Sequence, residues 1–354
     1  MATLPEVTLN GYRFSLTALQ PIPLPAYKGA TFRGAFGYAL RRAICTQPGR
    51  KCPGCLLHTS CVYPFIFEPS ADLFPDPVQK RFRDFPRPFV IRPPRQRERL
   101  INPGRDFNFE LILIGRAIDY LPYFVFAFRE LGQAGLGVAR SQFQLKETRD
   151  FSGNPVYDGQ RETLSRTRSF LPMEPAAPAG QKITLDFLTP GRLRETGDLV
   201  VHPTFRQLFQ SLLFRADFLA RHYCGWNNGT QPDYRELLEM ASRIRTGTDR
   251  LHWYDWGRFS TRQKTGMKLG GFLGRITFSG ELDPFLPLLN TGQYIHLGKG
   301  STFGLGQYYL EAGEPAPLTT GSRPGENSNS KFAPERRGRI IGRNRRPPTH
   351  ANQR

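Results

Sequence analysis

The sequence predicts an α+β protein built from two consecutive units, each with the element order β-α-β-β-α-β. Three observations predict this. Short alternating or apolar runs punctuated by Gly and Pro recur through residues 1–313. Helix-period runs fall between them at corresponding places in the two halves. The stretch Asp150–Gln181 separates one set from the other.

In the first half, residues 7–18 (VTLNGYRFSLTA) partly alternate apolar and polar and read as a strand. Gly29–Cys45 reads as a helix with Thr31 as its N-cap. Its apolar side is Phe32, Ala35, Phe36, Ala39, Leu40 and Ala43, while Arg33, Gly37 and Arg41 recur four apart on another face. A long irregular stretch follows, then Phe89–Arg92 and Phe107–Ile114 as strands. Tyr120–Leu131 reads as a helix closed by Gly132, and Val138–Thr148 as an alternating strand.

The second half repeats the order. Lys182–Leu188 is a strand ended by Pro190 and Gly191, and Pro203 opens an amphipathic helix with Phe205, Leu208, Leu212, Ala216 and Leu219 inward. Pro232–Ile244 reads as an inserted helix. Leu251–Phe259 and Phe272–Phe278 are strands joined by a basic loop that holds Arg258, Arg262, Lys264 and Lys268. Asp283 caps and Pro284 starts a short helix stopped at Gly292, and Leu305–Leu310 is the last strand. Two such units imply tandem ferredoxin-like domains. The expected boundaries are 1–150 with a Cys-rich and Arg/Pro-rich insertion at 45–105, a linker at 151–181, a second domain at 182–313, and a disordered tail at 314–354.

The chain carries 49 Lys+Arg against 30 Asp+Glu, a net charge of +19, and only nine of the basic residues are Lys. That excess points to a polyanionic partner, and Arg suits phosphate because its planar fork engages two oxygens at once. The segment Glu314–Arg354 holds a net +6 among few large apolar residues, too little to offset its ordering entropy; the remaining 313 residues are therefore basic in their own right. No apolar run approaches the roughly 20 residues of a membrane-spanning helix. The start, MATLPEVTLNGYRF, has neither the basic nor the apolar region of a secretory signal. A cytoplasmic chain with no membrane partner is the expectation.

Two local motifs stand out. Cys45, Cys52, Cys55 and Cys61 form C-x6-C-x2-C-x5-C. In a cytosolic chain this spacing argues for a structural metal more than for disulfides; zinc is the simplest occupant, an iron–sulfur cluster or unligated thiols are the alternatives, and His58 could replace one ligand. No acidic residue joins the group, so a metal hydrolase is not expected. The second motif is HLGKGSTFGLGQ, residues 296–307, with Gly298, Gly300, Gly304 and Gly306 alternating around Lys299 between a helix and a strand. Such turns bring backbone amides close to an anion. The order helix–loop–strand fits neither a dinucleotide fingerprint nor a P-loop.

The segment LGGFLGRITFSGELDPFLPLLNTGQYIHLGKGSTFGLGQYYL resembles the C-terminal domain of the CRISPR-associated RAMP-superfamily endoribonucleases, the Cas6 precursor-RNA processors. AYKGATFRGAFGYALRR followed by CPGCLLHTSCVYPFIFEP resembles a branch of that family with an N-terminal cysteine motif. The resemblance implies tandem ferredoxin-like domains that bind CRISPR repeat RNA within the precursor crRNA. It implies one metal-independent cut per repeat, leaving a 2′,3′-cyclic phosphate, with the glycine loop lying against the RNA.

That reaction needs a base for the 2′-hydroxyl proton, a donor for the 5′-oxygen and a cation for the phosphorane. Many members of the family carry a His in or just after the first helix; here Thr31–Cys45 has none. The candidates are His58 in the cysteine loop and His296 beside the glycine loop, with Lys28 and Tyr38 near the first helix. His202, His222, His252 and His350 have weaker context. RNA contacts are expected from the glycine loop and Lys299, from Arg33, Arg41 and Arg42, from Arg95, Arg97 and Arg99, and from Arg262, Lys264 and Lys268. The alternative is a non-catalytic RNA-binding subunit working with other CRISPR effector subunits; a basic metal-stapled DNA adaptor is more remote.

Overall fold

The computed structural model describes residues 3–49, 51–74, 85–165, 181–226, 233–260 and 265–312, with backbone only for those of 256–269 within the strands. The first unit consists of β1 (Leu9–Ala18), α1 (Gly29–Ile44), β2 (Phe89–Arg92), β3 (Asp106–Ile114), α2 (Leu121–Ala134) and β4 (Phe143–Asp150). Its strands pair antiparallel in the order β2-β3-β1-β4. The second unit consists of β7 (Lys182–Gly191), α3 (Phe205–Tyr223), α4 (Arg235–Arg243), β8 (Arg245–Ser260), β9 (Thr265–Ser279), α5 (Leu286–Ile295) and β10 (Tyr308–Ala312). Its order is β8-β9-β7-β10, again antiparallel. Both sheets run second, third, first, fourth in their own counting, which is the ferredoxin-like arrangement twice over. The intervening labels belong to β5 (Pro155–Asp158) and β6 (Thr163–Leu164), which continue the first sheet beyond β4. That part of the expected linker is therefore sheet; residues 166–180 lie outside the described residues.

The first unit is packed largely by aromatic rings. On α1, Phe36 stacks on Phe124 and Phe128 of α2 at centroid distances of 4.8 and 5.2 Å, and Phe14 of β1 stacks on Phe109 of β3 at 4.8 Å. The opposite face of this sheet is apolar at one end. Leu9, Val90, Ile112 and Ile114 join the core of the second unit beside α3 residues such as Leu213 and Tyr223. The unbroken apolar run Leu111–Ile114 is the sequence trace of that two-sided burial. In the second unit α3 starts with a full capping box, Thr204 accepting from the Gln207 amide while the Gln207 side chain accepts from the Thr204 amide.

Several expected boundaries move, each for a packing reason. Helix α1 begins before Thr31, with Lys28 in the cap position, because Gly29 already lies against the second unit. Gly132 does not end α2; it sits inside the helix where the Phe143 carbonyl leaves no room for a Cβ, and Gly135 at φ 89° ends it. Gly292 is likewise interior to α5, pressed against Tyr308 and Leu212. Asp283 makes no side-chain cap; a 3-10 turn, Asp283–Phe285, leads into α5. The strand expected from Val138 starts at Phe143, and the one expected from Leu305 starts at Tyr308, since Leu305 and Gly306 still belong to the preceding loop. Phe89–Arg92, inside the range expected as an insertion, is an edge strand of the first sheet.

Candidate active site at the domain seam

Helix α5 ends at His296, and the chain from there to Gly306 folds back through a 3-10 turn at Ser301–Phe303. Gly298, Gly300, Gly304 and Gly306 all take positive φ, between 70° and 83°. At Gly306 a Cβ would also strike the Leu297 carbonyl, so this position excludes every larger residue. The loop is closed by its own backbone. The amides of Leu297, Phe303, Gly304 and Leu305 bond within it, and those of Lys299 and Gly306 reach the Arg192 and Pro190 carbonyls. The glycine spacing therefore does not make an open anion nest from those six donors. Gly304 and Gly306 are buried, Gly298 and Gly300 half-buried, and only Lys299 is exposed.

The buried side of the loop rests on the first unit. Tyr27 Oη donates to the Phe303 carbonyl at 2.6 Å. A Cβ on Gly29 would collide with that same carbonyl, and one on Gly304 would meet Ile91 and Pro93. The Arg33 guanidinium lies between rings, 4.0 Å from the Phe67 centroid and 4.9 Å from Phe303. Lys28 is buried in the adjoining cap position, its Nζ donating to the Gln96 carbonyl at 2.5 Å. Burial pulls its pKa below the ordinary lysine value; Glu98 opposes that shift and Arg99 adds to it.

A second tie runs through Arg92. Its Nη1 donates to Glu110 at 3.1 Å within its own sheet, its Nη2 to the Gln293 carbonyl at 2.6 Å, and its Nε to His296 Nε2 at 3.0 Å. His296 Nδ1 faces the Leu305 carbonyl at 3.2 Å. Burial, with Arg92 and Arg215 nearby, holds the imidazole pKa well below its ordinary value. Burial alone would raise Glu110, but Arg92 and Arg95 outweigh it and keep the carboxylate ionised.

The residues expected to act together are thus sorted by the fold. Lys28, Arg33 and the glycine loop meet at the seam. His296 is there too, but it is fully enclosed and neutral, which removes it as an accessible base. His58 is 7% exposed and pairs with Ser70 Oγ at 2.7 Å inside the insertion, not at the seam. Tyr38 is exposed, and Arg41 and Arg42 close α1; at 1.5 Å per residue these lie about 14 to 20 Å along the helix from Gly29. Arg95, Arg97 and Arg99 are exposed on the segment after β2. Arg262 and Lys264 lie outside the described residues, as do the Lys268 side chain and the 314–354 tail. The turn of the cysteine motif is formed, with the Cys55 amide on the Cys52 carbonyl and Gly54 at φ 87°. Among the described residues, however, no three His, Cys, Asp or Glu side chains converge as a metal-holding group. Tyr27 stands beside the first helix in the sequence, but its partner is 276 positions away; Arg92 was invisible as a site residue because its partner His296 stands 204 positions away.

Residues 185–308, which run from within β7 to the first residue of β10 and include the whole glycine loop, match the model for the CRISPR-associated endoribonuclease Cas6. The second unit is therefore similar to the Cas6 endoribonucleases. Residues 7–169 match a separate model described as the AF_1859_N N-terminal domain. A protein of Archaeoglobus fulgidus, described as uncharacterized, is 26% identical over 300 residues, covering 82% of this chain and 93% of its own. Among solved structures, a Cas6 product complex aligns with 86% of this chain and 99% of its own at 16% identity and TM-score 0.51. A partial Cas6-RT-Cas1–Cas2 complex aligns with 91% of this chain at 17% identity and TM-score 0.52, and this chain spans about half of that one, 49%. These two share the Cas6 fold with the present chain. Among the described residues no helix is long and apolar enough to cross a membrane.

Proposed function

We propose that the chain binds CRISPR repeat RNA along the seam between its two domains and cuts it without metal, by attack of the 2′-hydroxyl on the adjacent phosphate. The observation that carries this reading is the docking of the Cas6 glycine loop on the first turn of α1, which brings Lys28 and Arg33 next to the loop that bears Lys299. The product would be a 2′,3′-cyclic phosphate and a free 5′-hydroxyl. A pentacoordinate phosphate gains negative charge in the transition state, and a positive group preset in a poorly hydrated site stabilises it far more than one in water. Lys28, buried beside the loop, supplies such a charge across the seam without touching the RNA.

The enclosure of both His58 and His296 supports a second reading, an RNA-binding subunit that holds the repeat without cutting it. Incubating the full chain with a CRISPR repeat RNA in EDTA separates the two. Discrete cleavage ending in a cyclic phosphate is expected; tight binding with no cut would replace the nuclease reading with the second one.

A further inference from the structure

His296 occupies a backbone conformation that residues with a side chain avoid. Its φ is 63° and its ψ 160°, a region populated almost only by glycine and costing a non-glycine residue on the order of 1–3 kcal/mol. The loop it opens is rich in glycine, with Gly298 only two residues on, yet this position carries a large, fully buried ring. Strain of that kind persists where the side chain does something glycine cannot. Here the imidazole is the middle of a chain from one domain to the other: Glu110 to Arg92 to His296 to the Leu305 carbonyl, which lies in the loop itself.

The chemistry of the chain specifies one protonation state. Arg92 Nε can only donate, so His296 Nε2 must accept, and the proton must sit on Nδ1, pointing at Leu305. A second proton would destroy the acceptor and set a cation against Arg92. The groups facing the ring agree in sign. Arg92 and Arg95 come from β2 and the segment after it, Arg215 from α3, and all three are cationic. The carboxylate of Glu110 is already engaged by Arg92 and Arg13, and Tyr294 offers its ring to Arg92 at 5.7 Å.

We propose that Arg92 and His296 are positioning residues, whose bond requires a neutral imidazole and sets the glycine loop, with exposed Lys299, in register against α1. Neither residue touches the RNA in this scheme; they act through the loop. The link to RNA rests on the function proposed above, whereas the latch itself does not. Because the folded chain disfavours the imidazolium, the unfolded or undocked state binds more protons. The contribution of the latch is therefore complete above the ordinary histidine pKa of about 6.5, and falls about tenfold per pH unit below it, down to the depressed folded value.

Hydrogen exchange of the full chain tests this through the protection of residues 297–306, corrected for intrinsic rates, at pH 7.5 and 5.5. Wild type should lose about tenfold protection at pH 5.5. His296→Gln, whose amide can accept from Arg92 and donate to Leu305 without titrating, should match wild type at pH 7.5 and keep its protection at pH 5.5. His296→Gly relieves the backbone strain, and Arg92→Met removes the donor; both should lose at least tenfold protection at either pH, while β1 and β3 stay protected. Repeat-RNA cleavage is followed in parallel. If His296→Gly is as protected as wild type, or if His296→Gln keeps the pH step, the latch is overturned. Protection that changes as expected in a protein that cuts no RNA would keep the latch and remove the nuclease reading.

Discussion

The two halves share one strand order and differ in what covers the second face of the sheet. In the first, that face is apolar where Leu9, Val90, Ile112 and Ile114 meet the second domain. In the second sheet the corresponding face is polar and self-satisfied. The Thr184 and Thr277 hydroxyls lie 3.1 Å apart, and Arg275 bridges Asp186 at 3.0 Å and Glu311 at 3.5 Å. The first domain is thus built to be leaned on, and the second to do the leaning through α3 and the glycine loop. A duplicated topology becomes one site because the two copies bury different surfaces.

The largest effect should come from charging the leaned-on face. Ile112→Asp places an unpaired carboxylate among apolar groups and is expected to cost about 4 kcal/mol or more, whereas Thr184→Val on the other sheet removes one neutral hydrogen bond and should cost about 1 kcal/mol. Thermal denaturation of both variants checks this, and equal costs would break the contrast between the faces. Next in size is catalysis. Lys28→Gln should lower the cleavage rate about 100-fold while leaving repeat-RNA affinity within threefold. Because burial lowers the Lys28 pKa, the cationic form is lost on the alkaline side earlier than for free lysine, so the wild-type rate should fall there and Lys28→Arg should push that limb upward. A pH profile identical in wild type and Lys28→Arg would assign the alkaline limb to another group. The smallest effect belongs to the tail. Removing 314–354 takes away a net +6, so affinity should fall a few-fold and become less salt-dependent, with the cut site unchanged. A displaced cut would mean that the tail selects the site.

Much of this molecule was legible as pattern. The strand and helix runs, the repeated order, the glycine loop and the excess of arginine are local properties of the chain, and local periodicity reports which face of an element is apolar whatever it packs against. The helix ends at Gly132 and Gly292 were misread for the opposite reason. A glycine signals a helix stop only when its φ is free to turn positive; at these two sites it serves close approach to Phe143 and to Tyr308. The basic character and the two ferredoxin-like units were therefore determined by the sequence alone. Only the tertiary structure decided that His296 is enclosed, that Lys28 is desolvated, and that Arg92 and Tyr27 belong to the same seam. Each of those states depends on partners more than sixty residues away, and burial and protonation are set by the neighbours a side chain meets in space.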